Sequence, residues 1–252
     1  MLSKLFGKTR AHTTAPANGP TGERVYAIGD IHGRLDLLDE LIERIFRDER
    51  ERHGMPSTII FLGDLIDRGP ESAQVVERVM QFETQRPTRF LLGNHEEVFL
   101  KSLDGDLTAL ALFNRIGGRE TALSYGISEE EYRKSDYPAL ANLLARAVPR
   151  SHIDFMNRFE DLIVLGDYAF VHAGVRPNEP LTRQRPSDLR WIRNEFLRHQ
   201  TRLEKMIVHG HTISDDVEFG PHRIGIDTGA YMSGKLTAMG IEGSERWLLQ
   251  TG

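Results

Sequence analysis

The sequence contains no cysteine, and this absence excludes several kinds of chemistry at once. Disulfide bonds, thiolate metal sites and cysteine nucleophiles all require a residue that the chain does not have. A bound metal ion would need His, Asp, Glu or Asn as its ligands. Chemistry at a phosphoester would proceed without a thiol-phosphate intermediate. The composition therefore restricts any metal centre to oxygen and imidazole ligands.

The chain also lacks a long apolar segment and an excess of positive charge. No apolar run approaches the roughly 18 residues that a membrane-spanning helix needs. Residues 1–20 contain no apolar core of signal-peptide length. The formal net charge is -5, whereas nucleic-acid-binding proteins normally carry a basic excess. We therefore expect a cytoplasmic protein that binds neither membranes nor nucleic acids.

The 252 residues are sufficient to bury the core of one large domain. Residues 1–22 are rich in Thr, Ala, Pro, Asn and Gly without sustained periodicity, which predicts a flexible tail. Residues 23–252 are predicted to form a single domain. Within it, residues 103–160 are interpreted as a mostly helical insertion.

Short apolar runs alternate with helical patterns after residue 23. The runs "RVYAI", "STIIFL" and "TRFLL" are typical of buried strands, and the segments between them carry apolar residues at helical spacing. This alternation predicts a parallel sheet with right-handed crossovers. The C-terminal half is predicted to be rich in strands, with one helix over residues 187–204.

Polar side chains of the same few types follow five of the predicted strands. These strand ends read "GDIHG", "GDLIDRG", "GNHEE", "VHAG" and "VHGHT". A single "GD" more often marks an ordinary glycine turn, but five of the ten histidines lie in these segments. The carboxyl ends of neighbouring strands meet at one edge of an α/β sheet, where ligands bind.

The residue types at these strand ends favour a metal centre. Asp, His and Asn suit Mn, Fe or Zn ions, and several acids in one crevice require cations to balance them. A pair of ions also needs a shared ligand, and an aspartate can bind one ion with each oxygen. The sequence therefore predicts a site for two metal ions.

In this order, the five motifs resemble those of the PPP-type serine/threonine phosphatases, especially the bacterial and phage members of the calcineurin-like metallophosphoesterase superfamily. The resemblance extends from Val25 to about Thr237. It implies an α/β fold of the calcineurin-like metallophosphoesterase type, with a central β-sandwich flanked by helices. It also implies two divalent metal ions, with Mn favoured and Fe or Zn as alternatives.

The resemblance further implies a role for each residue that matches a motif. Four residues match the phosphate-binding set: Arg68, Arg193, Asn94 and His95. Among these, His95 also matches the general acid, and Asp67 matches the residue that orients it. His209 has no catalytic match and is interpreted as a supporting or structural residue. The metal ligands implied are Asp30, His32 and Asp64 for one ion, and Asp64, Asn94, His172 and His211 for the other, with Asp64 as the bridge.

The function implied by the resemblance is the hydrolysis of phosphoserine and phosphothreonine in proteins. A hydroxide activated by the two ions would attack the phosphorus, with His95 as the general acid. The expected partners are phosphoprotein or phosphopeptide substrates, and we expect the protein to be a monomer.

Two alternatives remain open. Symmetrical hydrolases of diadenosine tetraphosphate share most of the metal motifs, but they typically have an uncharged residue at the position of Asp67 and "GNHD" in place of "GNHE". The presence of Asp67 and Glu96 favours the protein phosphatases. A catalytically inactive binding module would be expected to lack a metal ligand or His95, and none is missing.

Overall fold

The computed structural model describes residues 16–252. Its strands are β1 (Arg24–Ile28), β2 (Ser57–Phe61), β3 (Thr88–Phe90), β4 (Ile163–Leu165), β5 (Tyr168–Phe170), β6 (Met206–His209), β7 (Glu218–Phe219), β8 (Arg223–Gly225), β9 (Thr237–Glu242) and β10 (Glu245–Gln250). Its helices are α1 (Leu35–Arg52), α2 (Ser72–Glu83), α3 (Asn94–Leu103), α4 (Leu107–Ile116), α5 (Gly118–Ser124), α6 (Glu129–Lys134), α7 (Tyr137–Ala147), α8 (Arg150–Met156), α9 (Pro186–Trp191), α10 (Asn194–Leu197) and α11 (Ala230–Ser233). A 3₁₀ turn covers Leu181–Arg183.

The strands form two mixed sheets of five strands each. The order is β10-β9-β1-β2-β3 in the first sheet and β4-β5-β6-β8-β7 in the second. In the first sheet β1, β2 and β3 are parallel, with α1 and α2 in the crossovers, while β9 and β10 run antiparallel. In the second sheet β5, β6 and β8 are parallel. The predicted parallel arrangement of the first three strands is confirmed.

Alternating side chains of β1 bury both faces of the first sheet. Val25 and Ala27 face the second sheet and pack in a core that includes Phe170 and Val208. The intervening Tyr26 and its neighbours on the outer face pack against α1, α2 and the helices of residues 103–160. A third cluster covers the outer face of the second sheet with side chains from α9 and α10. The predicted β-sandwich flanked by helices is confirmed.

Residues 103–160 contain helices α4 to α8, and they pack beside α2 and α3. The Phe113 ring of α4 stacks on the Phe99 ring of α3 at 5.2 Å between centroids. Ser124 of α5 accepts a hydrogen bond from the backbone N–H of Ala73 in α2 at 3.0 Å. This helical segment is therefore anchored to the two helices that follow the second and third strands.

The predicted tail, residues 1–22, lies only partly within the described residues. Asn18 and Asp167 exchange two hydrogen bonds, of 3.0 Å and 2.8 Å, and the Gly19 N–H donates to the Gly243 carbonyl at 2.8 Å. Ala17 packs against the core between the sheets. Residues 17–19 are therefore held by backbone pairing that their composition does not reveal. Residues 1–15 lie outside the described range.

The helix predicted over residues 187–204 is interrupted. α9 ends at Trp191, Ile192 adopts an extended backbone with φ -61° and ψ 143°, and α10 ends at Leu197. Of residues 198–205, only Leu203 is apolar. A helix there would have no apolar stripe to bury, which explains why it does not form.

None of the helices in residues 16–252 combines the length and the apolar composition that crossing a membrane requires.

Candidate metal centre

The carboxyl ends of both sheets meet at one edge of the sandwich, where the predicted metal ligands lie. Asp30 follows β1, Asp64 follows β2, and Asn94 begins α3 shortly after β3. His172 and His211 follow β5 and β6 of the second sheet. All five side chains are buried. The fold therefore brings residues from five separate segments into one small volume.

Asp64 lies at the centre of this group. Its Oδ1 is 3.4 Å from His172 Nε2, and its Oδ2 is 3.7 Å from His32 Nε2. Two sets of potential ligand atoms, each within 4.8 Å of one another, belong to His32, Asp64 and His95 and to Asp64, His172 and His211. Each set could hold one metal ion, and Asp64 belongs to both.

Hydrogen bonds to backbone carbonyls orient two of the imidazoles. His32 Nδ1 lies 2.8 Å from the Ile66 carbonyl oxygen, and His172 Nδ1 lies 2.8 Å from that of Leu62. Because a carbonyl only accepts, each Nδ1 carries a proton, and each Nε2 is directed toward Asp64. Histidines that bind metals are commonly held in this way.

Asn94 and His211 add further lone pairs to the same volume. Asn94 Oδ1 is 3.0 Å from His172 Nε2 and 2.7 Å from His211 Nδ1. His211 Nε2 has no hydrogen-bond partner among residues 16–252. Burial lowers the pKa of His211 to about 2, so the imidazole is neutral. Acceptor atoms that face each other in this way are stabilised by a proton or a cation between them.

Asp30 contributes a second buried carboxylate. Its Oδ2 accepts a hydrogen bond from the His211 backbone N–H at 3.0 Å, whereas its Oδ1 has no partner within the described chain. Burial and the charges of Asp227 and Asp64 raise the pKa of Asp30 well above its ordinary value. A cation would favour the ionised form. The unpartnered oxygen and nitrogen atoms of this cluster therefore fit divalent metal ions.

The loops that carry these side chains have an uncommon backbone conformation. Six non-glycine residues among 16–252 have positive φ, and five of them belong to the predicted site. A left-handed φ costs a non-glycine residue about 1 to 3 kcal/mol and persists where surrounding contacts enforce it. The five residues are His32, Asp64, Asp67, Arg68 and His211, with φ values from 48° to 72°.

His95 joins Asp67 to Arg68 beside the cluster. Its Nδ1 is 2.7 Å from Asp67 Oδ2, and its Nε2 is 3.1 Å from Arg68 Nη2. Because arginine only donates, Nε2 accepts from Arg68 while Nδ1–H donates to Asp67. Burial acts to lower the pKa of His95, but Asp64 and Asp67 outweigh it and the pKa is raised. The imidazole is therefore both oriented and able to ionise.

An aromatic ring and two exposed apolar side chains lie next to Arg68. The Arg68 guanidinium carbon is 4.8 Å from the centre of the Tyr231 ring, and that ring lies 5.4 Å from the His32 ring. Ile213 and Met232, which are 36% and 68% exposed, both lie beside Gly229, two residues before Tyr231. Apolar surface therefore borders this side of the cluster.

A second aromatic ring accompanies the other predicted phosphate-binding arginine. Trp191 lies 6.5 Å from the His211 ring, and its indole N–H donates to Glu97 at 2.8 Å. Arg193 follows two residues later and is exposed. Its charge helps to lower the pKa of His211, after the larger effect of burial. The structure thus has an arginine and an aromatic residue on each side of the cluster.

Glu96 is an important residue whose structural role the sequence did not reveal. It is fully buried, and its carboxylate accepts backbone N–H groups from Gly93 and from three residues of the loop after β2. Burial and the charge of Asp64 raise the pKa of Glu96 to about 7, although these four donors favour the anion. The "GNHE" motif contains Glu96, but the motif does not indicate that this side chain supports the loop.

Asp227 was also missed, and His209 lies where a supporting role was predicted. Asp227 follows β8 as Asp30 follows β1, so the same strand-end pattern could have identified it; burial raises its pKa. The His209 ring packs 5.1 Å from the Phe196 ring and belongs to neither of the two ligand sets. Its Nδ1 lies 3.0 Å from the Gly210 carbonyl.

Comparison with known families and sequences gives one consistent match. The model of a family described as calcineurin-like phosphoesterase matches residues 23–228. The asymmetrical bis(5'-nucleosyl)-tetraphosphatase PrpE of Oceanobacillus iheyensis is 27% identical over 228 residues, covering 85% of this chain and 87% of that protein. The protein of the same name from Anoxybacillus flavithermus is 24% identical over 237 residues, covering 84% and 88%.

Solved structures with the same fold carry different descriptions. One described provisionally as a diadenosine tetraphosphatase has a TM-score of 0.64 at 20% identity and covers 94% of this chain and 99% of its own. A cold-active protein tyrosine phosphatase has a TM-score of 0.54 at 16% identity, covering 90% and 78%. A serine/threonine phosphatase from Saccharomyces cerevisiae has a TM-score of 0.51 at 14% identity, covering 91% and 80%.

Proposed function

The chain belongs to the calcineurin-like phosphoesterase family, and from this we propose that it hydrolyses dinucleoside tetraphosphates with the help of two divalent metal ions. We propose asymmetrical cleavage, which the names of the two sequence relatives support. Water adds to one phosphorus atom, and the bond from that phosphorus to the bridging oxygen of the departing nucleotide breaks.

The residues proposed to hold the ions are those whose free atoms converge around Asp64. Asp30, His32 and Asp64 would bind one ion, and Asp64, Asn94, His172 and His211 the other. Ions bound there would supply positive charge and Lewis acidity toward the phosphoryl oxygens. Mn is the proposed metal, with Fe or Zn as alternatives, because the ligands are carboxylate, amide and imidazole without thiolate.

Arg68, Arg193, His95 and Asp67 would act on the substrate from the rim. Arg68 and Arg193 would bind phosphoryl oxygens with planar, permanently charged donors. When Arg68 turns to the phosphate, His95 Nε2 loses its present donor and can carry a proton for the leaving oxygen. Asp67 would hold the imidazole in that orientation through the 2.7 Å bond to Nδ1.

The pairing of arginines with aromatic residues is the observation that favours a nucleotide substrate. Arg68 lies at the Tyr231 ring, and Arg193 lies two residues from Trp191. An arginine that binds phosphate beside a ring that accepts a base matches the two ends of a nucleotide, and stacking on an aromatic ring is worth about 1 to 3 kcal/mol per base. Exposed apolar side chains near a cleft commonly mark a ligand surface.

Hydrolysis of phosphoserine and phosphothreonine is the second candidate. The bond between His95 and Asp67 favours it, because an alkoxide leaving group needs a proton more than a nucleotide phosphate does. The sequence motifs that contain Asp67 and Glu96 support the same candidate.

One experiment separates the two candidates. Protein stripped with a chelator is restored with Mn, Fe, Zn or Mg, and its kcat/KM is measured on diadenosine tetraphosphate and on phosphoserine and phosphothreonine peptides. We expect metal-dependent activity with preference for the dinucleotide. Products of AMP and ATP would support asymmetrical cleavage, whereas two molecules of ADP would indicate symmetrical cleavage. Preference for the peptides would overturn the first candidate.

A further inference from the structure

The loop that carries Asp67 and Arg68 cannot hold its conformation without outside support. Both residues have left-handed backbone conformations, with φ values of 72° and 69°. Two consecutive residues of this kind are strained, because an L side chain collides with its own backbone there. Contacts from another part of the chain are therefore needed to maintain the direction of both side chains.

Thr121, from helix α5, makes contacts of this kind with Asp67. The Thr121 hydroxyl donates to Asp67 Oδ1 at 2.6 Å and accepts the Asp67 backbone N–H at 2.9 Å. Thr121 is fully buried, so water does not compete for these bonds. One hydroxyl thus fixes both the backbone and the carboxylate of Asp67.

The hydrogen positions around this hydroxyl follow from donor and acceptor counts. Asp67 Oδ1 only accepts, so the Thr121 proton lies on the bond to Asp67. Ser72 Oγ, 3.0 Å from Thr121 Oγ1, then donates to Thr121 and accepts a share of the Asp67 N–H at 3.0 Å. Every polar atom of this small network has a partner. The second oxygen, Asp67 Oδ2, is left for His95 Nδ1.

The residue before α5 supports Arg68. The Arg68 backbone N–H donates to the Gly117 carbonyl at 3.0 Å. A Cβ at Gly117 would lie 2.7 Å from Arg68 Cγ, and Gly117 itself has φ 117°, so only glycine permits this approach. The segment Gly117–Thr121 therefore touches both Asp67 and Arg68.

We infer that Thr121 is a positioning residue for the pair Asp67–His95, and that the helical insertion of residues 103–160 contributes it. Oδ1 of Asp67 is held by the insertion, and Oδ2 orients the imidazole. Thr121 therefore acts on proton delivery through Asp67 without touching the substrate. This inference rests on the proposed hydrolase activity and on the role of His95 as the acid.

The test compares Thr121→Val, which removes the hydroxyl at constant shape, with Thr121→Ser, which keeps it. The substrates are phenyl phosphate, whose leaving phenolate needs a proton, and p-nitrophenyl phosphate, whose leaving group does not. We expect Thr121→Val to lower kcat on phenyl phosphate roughly 10- to 100-fold, as loss of an orienting partner does. We expect a smaller loss on p-nitrophenyl phosphate, little change in KM, and near wild-type activity in Thr121→Ser.

Ser124→Ala is the matched control, because Ser124 lies on the same helix and bonds to α2 without touching Asp67. It should affect both substrates equally and slightly. Equal losses on both substrates in Thr121→Val, or no recovery in Thr121→Ser, would overturn the inference. Wild-type protein that cleaves both aryl phosphates but not diadenosine tetraphosphate would instead contradict the proposed substrate alone.

Discussion

The Glu96 carboxylate accepts the backbone N–H of Asp64 at 2.9 Å. This bond joins the first turn of α3 to the residue that lies in both potential metal sites. The other Glu96 oxygen accepts the N–H groups of Leu65 and Ile66 at 2.7 Å and 3.3 Å. A carboxylate with no direct place in the cluster therefore holds the backbone of the cluster in shape.

Replacing this carboxylate should cost stability before it affects any contact with substrate. In Glu96→Gln, the amide group would face N–H donors and leave at least one of them unsatisfied in a buried place. We expect a loss of about 2 to 4 kcal/mol in the free energy of unfolding, measured by urea denaturation of metal-free protein. Glu83→Gln, which alters a surface ion pair with Arg158, should change it by less than about 0.5 kcal/mol. Similar values for the two variants would contradict this support role.

Asp30 is expected to reduce the stability of the metal-free protein. Its folded-state pKa is raised by burial and by neighbouring charges, so ionisation at neutral pH opposes folding. Asp30→Asn should therefore stabilise metal-free protein at pH 8 by about 1 to 2 kcal/mol while weakening the binding of Mn.

The pH dependence gives this prediction its sign. As pH falls from the raised pKa toward the ordinary value of 3.8, the wild-type carboxyl is protonated in the folded state and the advantage of Asn disappears. Urea denaturation with EDTA at several pH values, and calorimetry with Mn, provide the two measurements. The exposed Asp104→Asn should show neither effect. A variant less stable than wild type at pH 8 with EDTA would disprove the prediction.

His95→Asn should reduce activity according to the leaving group. We expect kcat on phenyl phosphate to fall by about 10² to 10⁴, and kcat on p-nitrophenyl phosphate to fall much less. Steady-state rates of purified, Mn-loaded protein provide the measurement. His53→Asn, at an exposed position outside the cluster, should match wild type. Equal reductions on the two substrates would argue against His95 as the acid.

Trp191→Ala should affect nucleotides selectively. If the indole accepts a base, KM for diadenosine tetraphosphate should rise roughly 10-fold, in line with the loss of one stacked base. Turnover of p-nitrophenyl phosphate should stay within about 2-fold, because that substrate carries no base. Phe219→Ala, with a 58% exposed ring on β7, is the control for loss of exposed aromatic surface. An unchanged KM would remove Trp191 from substrate recognition.

Much of the fold and of the cluster could be predicted from the sequence because both depend on simple patterns. The placement of Asp30, Asp64 and Asn94 at one edge follows once β1, β2 and β3 are known to be parallel. His172 and His211 required the second sheet to lie against the first, and the resemblance to known phosphatases supplied that information.

Other features depend on contacts between distant residues, which no local pattern encodes. Thr121 lies 54 positions after Asp67, and its helix has no motif that would mark it. Glu96 was noticed only as a letter that distinguishes families, because its partners are backbone groups. The interruption after Trp191 was missed for a different reason, since the sequence through Phe196 still contains apolar residues at helical spacing.

The left-handed residues of the cluster have a consequence for how this protein responds to mutation. At positions 32, 64, 67, 68 and 211, the side chain that chemistry requires is also one that the backbone tolerates poorly. Glycine would relieve that strain at each of these positions while deleting the chemistry. A library screened only for heat resistance would accordingly enrich variants that have lost activity, so selection for robustness and selection for turnover would act in opposite directions at the same five codons.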